Sequence, residues 1–445
     1  MIKRVFRILG LTIVAAVSGS GVVYGQTMSL KECMEYAISN STKVLIRSAE
    51  TADARIARRD AVLAAFLPSI SANTYAYYNF GRSIDPKTNT YFNQTSFHNN
   101  YGVSAGFTLF DGFKAVNNVL VSKTGLEISE SREKQAESEI CLAVMEAYFN
   151  TVYYKRLADV YEQQVADAEA SLNKIRKQEE LGQKGYADVI QAEADLADCR
   201  YGLTETRNMY KDQLTVLSDL MFWPEDKELI IDTELPEPEM DIESSIVDYS
   251  SILSGNRDFR IASLNELNSE RELSTARWQL LPSLSLNAGW NTSYFTTNGV
   301  ATDPFKDQFR NNSGEYVEVA LSFPLFEGLR KHSTIARKRN ARVIASAEKE
   351  QKSREVIQEF RRAEQDCDGA KAAYLQAEYK AQVQQEAYRL NMKKLEQGLV
   401  SPLEFSTING SLLRANADLM NSLFKLVIKQ SVVRYYRGID YIDQF

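Results

Sequence analysis

Four short stretches of this chain alternate apolar and polar residues with a period of two, while most of the remainder repeats its apolar positions every three or four residues. Tyr101, Val103, Ala105, Phe107 and Leu109 make one face of a predicted strand, against Asn100, Gly102, Ser104, Gly106 and Thr108 on the other. Leu284, Leu286, Ala288, Trp290 and Tyr294 alternate in the same way with Ser285, Asn287, Gly289, Asn291 and Ser293. Val317, Val319, Leu321 and Phe323 alternate with Glu318, Ala320 and Ser322. Residues 70–80 form a weaker fourth case, with tyrosines on both faces. Such alternation marks a strand whose two faces meet different surroundings. Elsewhere Val189, Ala192, Leu196, Cys199, Leu203, Thr206, Tyr210 and Leu217 keep helical spacing, and Ile408, Leu412, Ala415, Leu419 and Leu426 do so again. That is a narrow coiled-coil seam, suited to a wall one helix thick with water on both sides.

Each half of the chain reads in the same order. A helix over about 43–66, and again over 258–280, ends at Leu-Pro, because the residue before proline is pushed out of the helical region. Two strands follow, about 69–80 and 100–110 in the first half and 283–294 and 315–325 in the second, separated by polar loops at 81–98 and 296–314. A very long helix (113–178, 329–395), a glycine-bearing tip and a second helix (187–222, 402–437) complete each half. The landmarks recur at nearly one offset. Leu67-Pro68-Ser69-Ile70 returns 214 residues later as Leu281-Pro282-Ser283-Leu284. Thr108-Leu109-Phe110-Asp111-Gly112 returns 216 later as Pro324-Leu325-Phe326-Glu327-Gly328, and Gly182 with Asp188 returns as Gly398 with Glu404. Fixed-period self-similarity of this kind predicts two structural repeats, 26–222 and 241–445, joined by an acidic, proline-punctuated linker at 223–240.

Residues 1–25 have the layout of a cleaved export signal. Lys3, Arg4 and Arg7 precede the short apolar run 8–17, and small residues follow. Cys33 comes too late to be a lipidation site. No later stretch reaches the roughly 18 apolar residues of a membrane-spanning helix, so entry into a membrane would have to be by strands. Losing the three basic residues of the leader takes the formal charge from −7 to −10, which argues against nucleic acid as a partner. The four cysteines lack metal-like spacing, and the two histidines, His98 and His332, stand in no triad-like or zinc-like pattern. No catalytic, cofactor-binding or metal-binding constellation is visible, and an exported enzyme is the disfavoured reading.

Strict alternation over about 9–11 residues suits a barrel wall between lipid and water, and aromatics near the strand ends (Tyr75, Tyr77, Tyr78, Phe80, Trp290, Tyr294, Phe295, Tyr316) suit a membrane-interface girdle. Four strands cannot close a barrel, and lipid does not tolerate open edges, so several chains would have to share one wall. The long helices, at about 1.5 Å per residue, would reach on the order of 100 Å.

The Leu-Pro-Ser strand starts, the Leu-Phe-Asp/Glu-Gly strand ends and the Gly-x5-Asp/Glu tips, each present twice, resemble the outer-membrane efflux protein family, the TolC-like outer-membrane factors. The resemblance covers nearly the whole mature chain. It implies a mainly α-helical, TolC-like fold of two repeats with four β-strands per chain. It also implies a homotrimer that completes a 12-stranded barrel in the outer membrane and extends a helical tunnel into the periplasm. Such a channel is a passive exit duct for drugs, small molecules or polypeptides, coupled through a periplasmic adaptor to an inner-membrane transporter. A periplasmic adaptor, or a helical structural protein of the cell envelope, is the alternative; it would not carry two barrel hairpins per chain. The resemblance places acidic constriction positions at Glu404 and, near the first tip, Asp188. A second acidic position of the family falls on Thr407 here, and a basic one on Val400. Gly182, Gly185, Gly398, Leu399, Val400 and Ser401 fall where adaptor hairpins dock. Both acids also suit helix capping, and the glycines suit plain turns between antiparallel helices.

Overall fold

The computed structural model describes residues 27–84, 88–93, 95–234, 249–299, 301–397 and 399–445. The expected leader, residues 235–240 of the linker and Gly398 lie outside them. In chain order the elements are α1 (Leu30–Asn40), α2 (Thr42–Phe66), β1 (Ser69–Asn79), β2 (Arg82–Ile84), β3 (Tyr91–Asn93), β4 (Ser96–Phe110), α3 (Lys114–Glu180) and α4 (Tyr186–Met221). They continue with α5 (Tyr249–Gly255), α6 (Arg257–Trp278), β5 (Ser283–Thr297), α7 (Phe305–Asn311), β6 (Gly314–Ser322), α8 (Arg330–Glu396) and α9 (Pro402–Tyr436). A 3-10 turn over Tyr441–Gln444 follows. Two compact units divide the chain: of the described residues, one holds 27–36 and 144–234, the other 37–143 and 249–445.

In the first unit, α1 opens on a reciprocal cap. The Ser29 backbone N–H donates to Glu32 at 2.8 Å, and the Glu32 N–H donates to the Ser29 hydroxyl at 3.4 Å. Met28 forms a parallel bridge with Ile231, and this extended segment is held by the Tyr148 hydroxyl on the Asp232 carbonyl (2.7 Å) and by Arg156 on the Thr233 carbonyl (2.7 and 3.0 Å). The later part of α3 packs on α4 through Leu172, Ile175, Val189, Ala192 and Leu196. Arg176–Glu193, Arg200–Glu169 and Arg207–Glu162 flank that seam on the wetted sides. The seam departs in part from the sequence expectation: Cys199, Leu203 and Tyr210 are only half-buried, and Gly202 is buried instead, where the Tyr161 ring occupies the space a side chain would take.

In the second unit, α2 starts at Ser41, whose hydroxyl accepts the Val44 N–H, and stops at Leu67 before Pro68. Helix α6 starts at Asn256, which accepts the Phe259 N–H at 3.0 Å, and ends ahead of Pro282. Asn117 of α3 donates to the Arg271 carbonyl of α6 at 2.7 Å, and Arg271 donates back to the Leu120 carbonyl at 2.6 Å. Val356 and Phe360 of α8 and Ala415 and Leu426 of α9 are fully buried, and Lys380–Asp418 and Lys429–Asp366 bridge the same two helices.

The duplicated Phe-Asp/Glu-Gly motif has a backbone cause. Gly112-Phe113 and Gly328-Leu329, 216 residues apart, both adopt two successive left-handed conformations, with φ of 70° and 63° in the first pair and 60° and 61° in the second. Two such residues turn a strand sharply into a helix, and glycine takes the first place because it carries no Cβ penalty there.

Candidate functional site: a two-faced sheet and two helix tips

The four long strands form one antiparallel sheet in the order β1-β4-β5-β6. Its central pair, β4 with β5, joins the two sequence halves. Register fixes the faces. Ile70 and Ala72 of β1 share one with Val103, Ala105 and Phe107 of β4, Leu284, Leu286, Ala288 and Trp290 of β5, and Val317, Val319 and Leu321 of β6. The opposite face carries Ser69, Ser71, Asn73, Asn100, Gly102, Ser104, Gly106, Ser285, Asn287, Gly289, Asn291 and Glu318. The Ser71 and Ser104 hydroxyls bond across it at 3.0 Å, and glycines leave room for neighbours: a Cβ on Gly289 would lie 2.6 Å from the Tyr316 ring. The outer edges belong to β1 and β6, which among the described residues pair only inward, and Ile70 and Val317 there are 73% and 77% exposed. Among the described residues no helix is long and apolar enough to cross a membrane.

Several strand expectations need correction. Leu109 does not continue the apolar face: the ladder shifts between Thr108 and Phe110, so Phe110 takes the place opposite Leu284 and Leu109 is the extra residue of a bulge. Strand β6 stops at Ser322 and leaves Phe323 beyond it, because β5 begins at Ser283 and the residue that would face Phe323 is Pro282, which has no N–H to extend the ladder. Strands β4 and β5 are longer than their alternation indicates, each 15 residues. The aromatic set is split. Tyr78, Trp290 and Tyr294 lie on the apolar face, whereas Tyr75, Tyr77, Phe295 and Tyr316 lie on the polar one, so the rings do not form a single girdle.

The polar loops are also more structured than their composition suggests. Strands β2 and β3 pair as a small hairpin. Helix α7 lies against the end of β5, where Phe309 meets the Tyr101 and Trp290 rings at 5.4 and 5.7 Å. Buried Gln308 uses its amide like a strand neighbour: it accepts from the Phe295 N–H at 3.0 Å and donates to the Phe295 carbonyl at 2.9 Å. Asn312 donates to the Ser293 carbonyl at 2.8 Å.

The first tip belongs to the first unit. Helix α3 ends at Glu180, and Gly182, with φ of 71°, lets the Gln183 N–H return to the Gln178 carbonyl at 2.8 Å. Gly185 caps α4, and the Asp188 carboxylate reaches back to accept the Gly185 N–H at 3.1 Å while the Asp188 N–H donates to the Gly185 carbonyl. Asp188 is therefore engaged in capping its own helix. The second tip belongs to the second unit. Leu399 donates its N–H to the Lys394 carbonyl at 2.9 Å, Val400 is half-buried, and Ser401 caps α9 by accepting the Glu404 N–H at 3.2 Å. Pro402 follows at the first helical turn, where its missing N–H costs nothing. The Glu404 carboxyl group is exposed in that turn, and Thr407, also exposed, stands three residues on along the same helix.

Cys33, Cys141 and Cys367 are buried, Cys199 is partly so, and none is in a disulfide. Burial, with Glu32 beside Cys33 and Glu137 near Cys141, pushes both of those thiols up to about 12.

A family model described as outer membrane efflux protein matches residues 39–221 and 249–433, one match to each half. Solved structures share the fold. A membrane protein from Pseudomonas aeruginosa is 15% identical over 93% of this chain and 91% of its own, with a TM-score of 0.76. The outer membrane protein VceC of Vibrio cholerae is 16% identical over 92% of this chain and 96% of its own, with a TM-score of 0.71. The open-state MtrE outer membrane channel of Neisseria gonorrhoeae is 16% identical over 92% and 88%, with a TM-score of 0.73. A comparison with curated protein sequences gives no match.

Proposed function

The chain belongs to the outer membrane efflux protein family, and on that premise we propose that it is a passive exit duct which three copies build together in the outer membrane. The observation that carries this reading is the sheet, with one mainly apolar face, one polar face and two outer edges that no described strand covers. Lipid accepts such a sheet only if its edges are paired, and three copies of four strands give a 12-stranded closure. The apolar face then meets lipid and the polar face lines water. Helix α8, 67 residues long, carries its tip on the order of 100 Å from the end of β6, a reach suited to the periplasm. In this reading the turn before α9 forms the far constriction, with Glu404 and Thr407 along its wall. Leu399, Val400 and Ser401, with Gly182 and Gly185 of the other tip, meet a periplasmic adaptor that links the duct to an inner-membrane transporter. Asp188 acts as a cap, and the docking role expected of Gly398 goes with that of its neighbours.

The test is assembly and conductance together. The mature chain is expected in the outer-membrane fraction, as a trimer in mild detergent, and as discrete channels in planar bilayers. A folded, detergent-stable monomer that does not conduct overturns the reading.

A further inference from the structure

One charged side chain interrupts the polar face. Among the described residues of the four-stranded sheet, only Glu315 and Glu318 are acidic, none is lysine or arginine, and the one histidine, His98, lies on the polar face toward the far end of the strands; register puts Glu315 on the apolar side, opposite Trp290. Glu318 lies on the polar side in the row Ser69–Gly106–Asn287–Glu318, the first row from the helical end that crosses all four strands. This row is built around the carboxylate. The Asn287 side-chain amide donates to Glu318 Oε1 at 3.4 Å. Asn287 has room to do so because its neighbour Gly106 has no side chain: a Cβ there would lie 3.3 Å from Asn287 Oδ1 and 3.6 Å from the Ser69 hydroxyl. Ser69 turns its own hydroxyl aside, donating to the Gly106 carbonyl at 3.3 Å.

We propose that Glu318 sets the ion preference of the barrel, as a ring of carboxylates at the point where the helical tunnel opens into the β-wall. The proposal rests on the trimeric-channel reading, which brings three copies of this row around one axis. The rest of the polar face is serine, asparagine, glycine and tyrosine in the main, so no fixed positive charge on the wall offsets the ring. Three unit charges about 8 Å from a water-filled axis enrich monovalent cations there on the order of threefold at about 0.1 M salt, and deplete anions by a similar factor. At about 1 M salt the screening length falls to roughly 3 Å and the effect fades. A ring of this kind favours cationic over anionic solutes in transit, independently of any charge at the far tip.

The test uses the full mature trimer in planar bilayers under a KCl gradient. Glu318→Gln keeps an acceptor for Asn287, so trimer yield is expected to be unchanged. The reversal potential should move toward zero near 0.1 M salt and much less near 1 M, while Glu318→Asp retains the wild-type preference. The same shift should appear in a Glu404→Gln background, which separates the barrel from the tip. A wild-type chain that neither trimerises nor conducts defeats the channel reading and this proposal with it. A conducting wild type whose reversal potential is unmoved by Glu318→Gln in both backgrounds overturns this proposal alone. So does a shift of equal size at low and high salt, which signals a change of pore shape.

Discussion

Replacing Leu286 with arginine tests which face of the sheet meets lipid. Leu286 sits opposite Phe107 and Val319, near the middle of an apolar band that runs along β5 from Leu284 to Trp290. An arginine near the bilayer midplane of a barrel costs about 2–4 kcal/mol per chain, so a trimer bears about 6–12 kcal/mol. Per chain this is roughly a 30- to 700-fold change in the folding equilibrium. Ser285, one residue earlier, lies on the polar face opposite Thr108 and Ala320. Arginine there reaches water, and its cost is near zero on the same scale. Leu286→Ala isolates the packing component, about 1 kcal/mol for a half-buried leucine. The assay is refolding of each variant from urea into phospholipid vesicles, followed by tryptophan fluorescence and by recovery of the trimer. The expected order of loss is Leu286→Arg, then Leu286→Ala, then Ser285→Arg. Equal losses for the two arginines, or the reverse order, would refute the assignment of faces.

Two further outcomes follow from packing and burial. Gly202→Ala reverses the usual sign: alanine in a helix interior normally gains about 1 kcal/mol over glycine, but a Cβ here would lie 2.4 Å from a Tyr161 ring carbon, so a net loss of about 1–2 kcal/mol is expected in urea titrations, and a gain would show that the two helices are not in close contact. Cys33 and Cys141, with thiols pushed up to about 12, hold a thiolate fraction on the order of 10⁻⁴ at pH 8, so maleimide should modify Cys199 first and those two only after unfolding; prompt labelling of either in the native protein, read by mass spectrometry, would contradict their burial.

What could be read from the sequence was what repeats or alternates. The Leu-Pro stops, the long helices and the two faces of β4, β5 and β6 each have a local cause that survives folding. Helix α1 was legible in principle and was missed: Ser29 and Glu32 form a capping box, and Leu30, Cys33, Met34 and Ala37 keep helical spacing and are buried. Helix α7 could not be read in that way, since its seven residues depend on the Tyr101 and Trp290 rings and on the backbone of β5 for their place. The bulge at Leu109 was hidden because its residues still alternate, and only the partner strand reveals the slip. Glu318 passed as one polar position among several. Its distinction comes from being placed beside Asn287 and Gly106, which are far away in sequence.

The small helix α7 also bears on how assembly stops. Strand β5 extends six residues past its last pairing with β6, at Asn291, and a bare strand end of that kind is a template for any stray β-segment. Gln308 and Asn312 occupy it at Phe295 and Ser293, which leaves β1 and the nine residues of β6 as the surfaces on which another copy can grow. A head-to-tail contact between such edges closes into a finite ring where the rotation from copy to copy closes, and otherwise propagates as a fibre. By covering the spare end of β5, α7 and the residue after it confine any edge-to-edge growth of the sheet to the β1 and β6 edges.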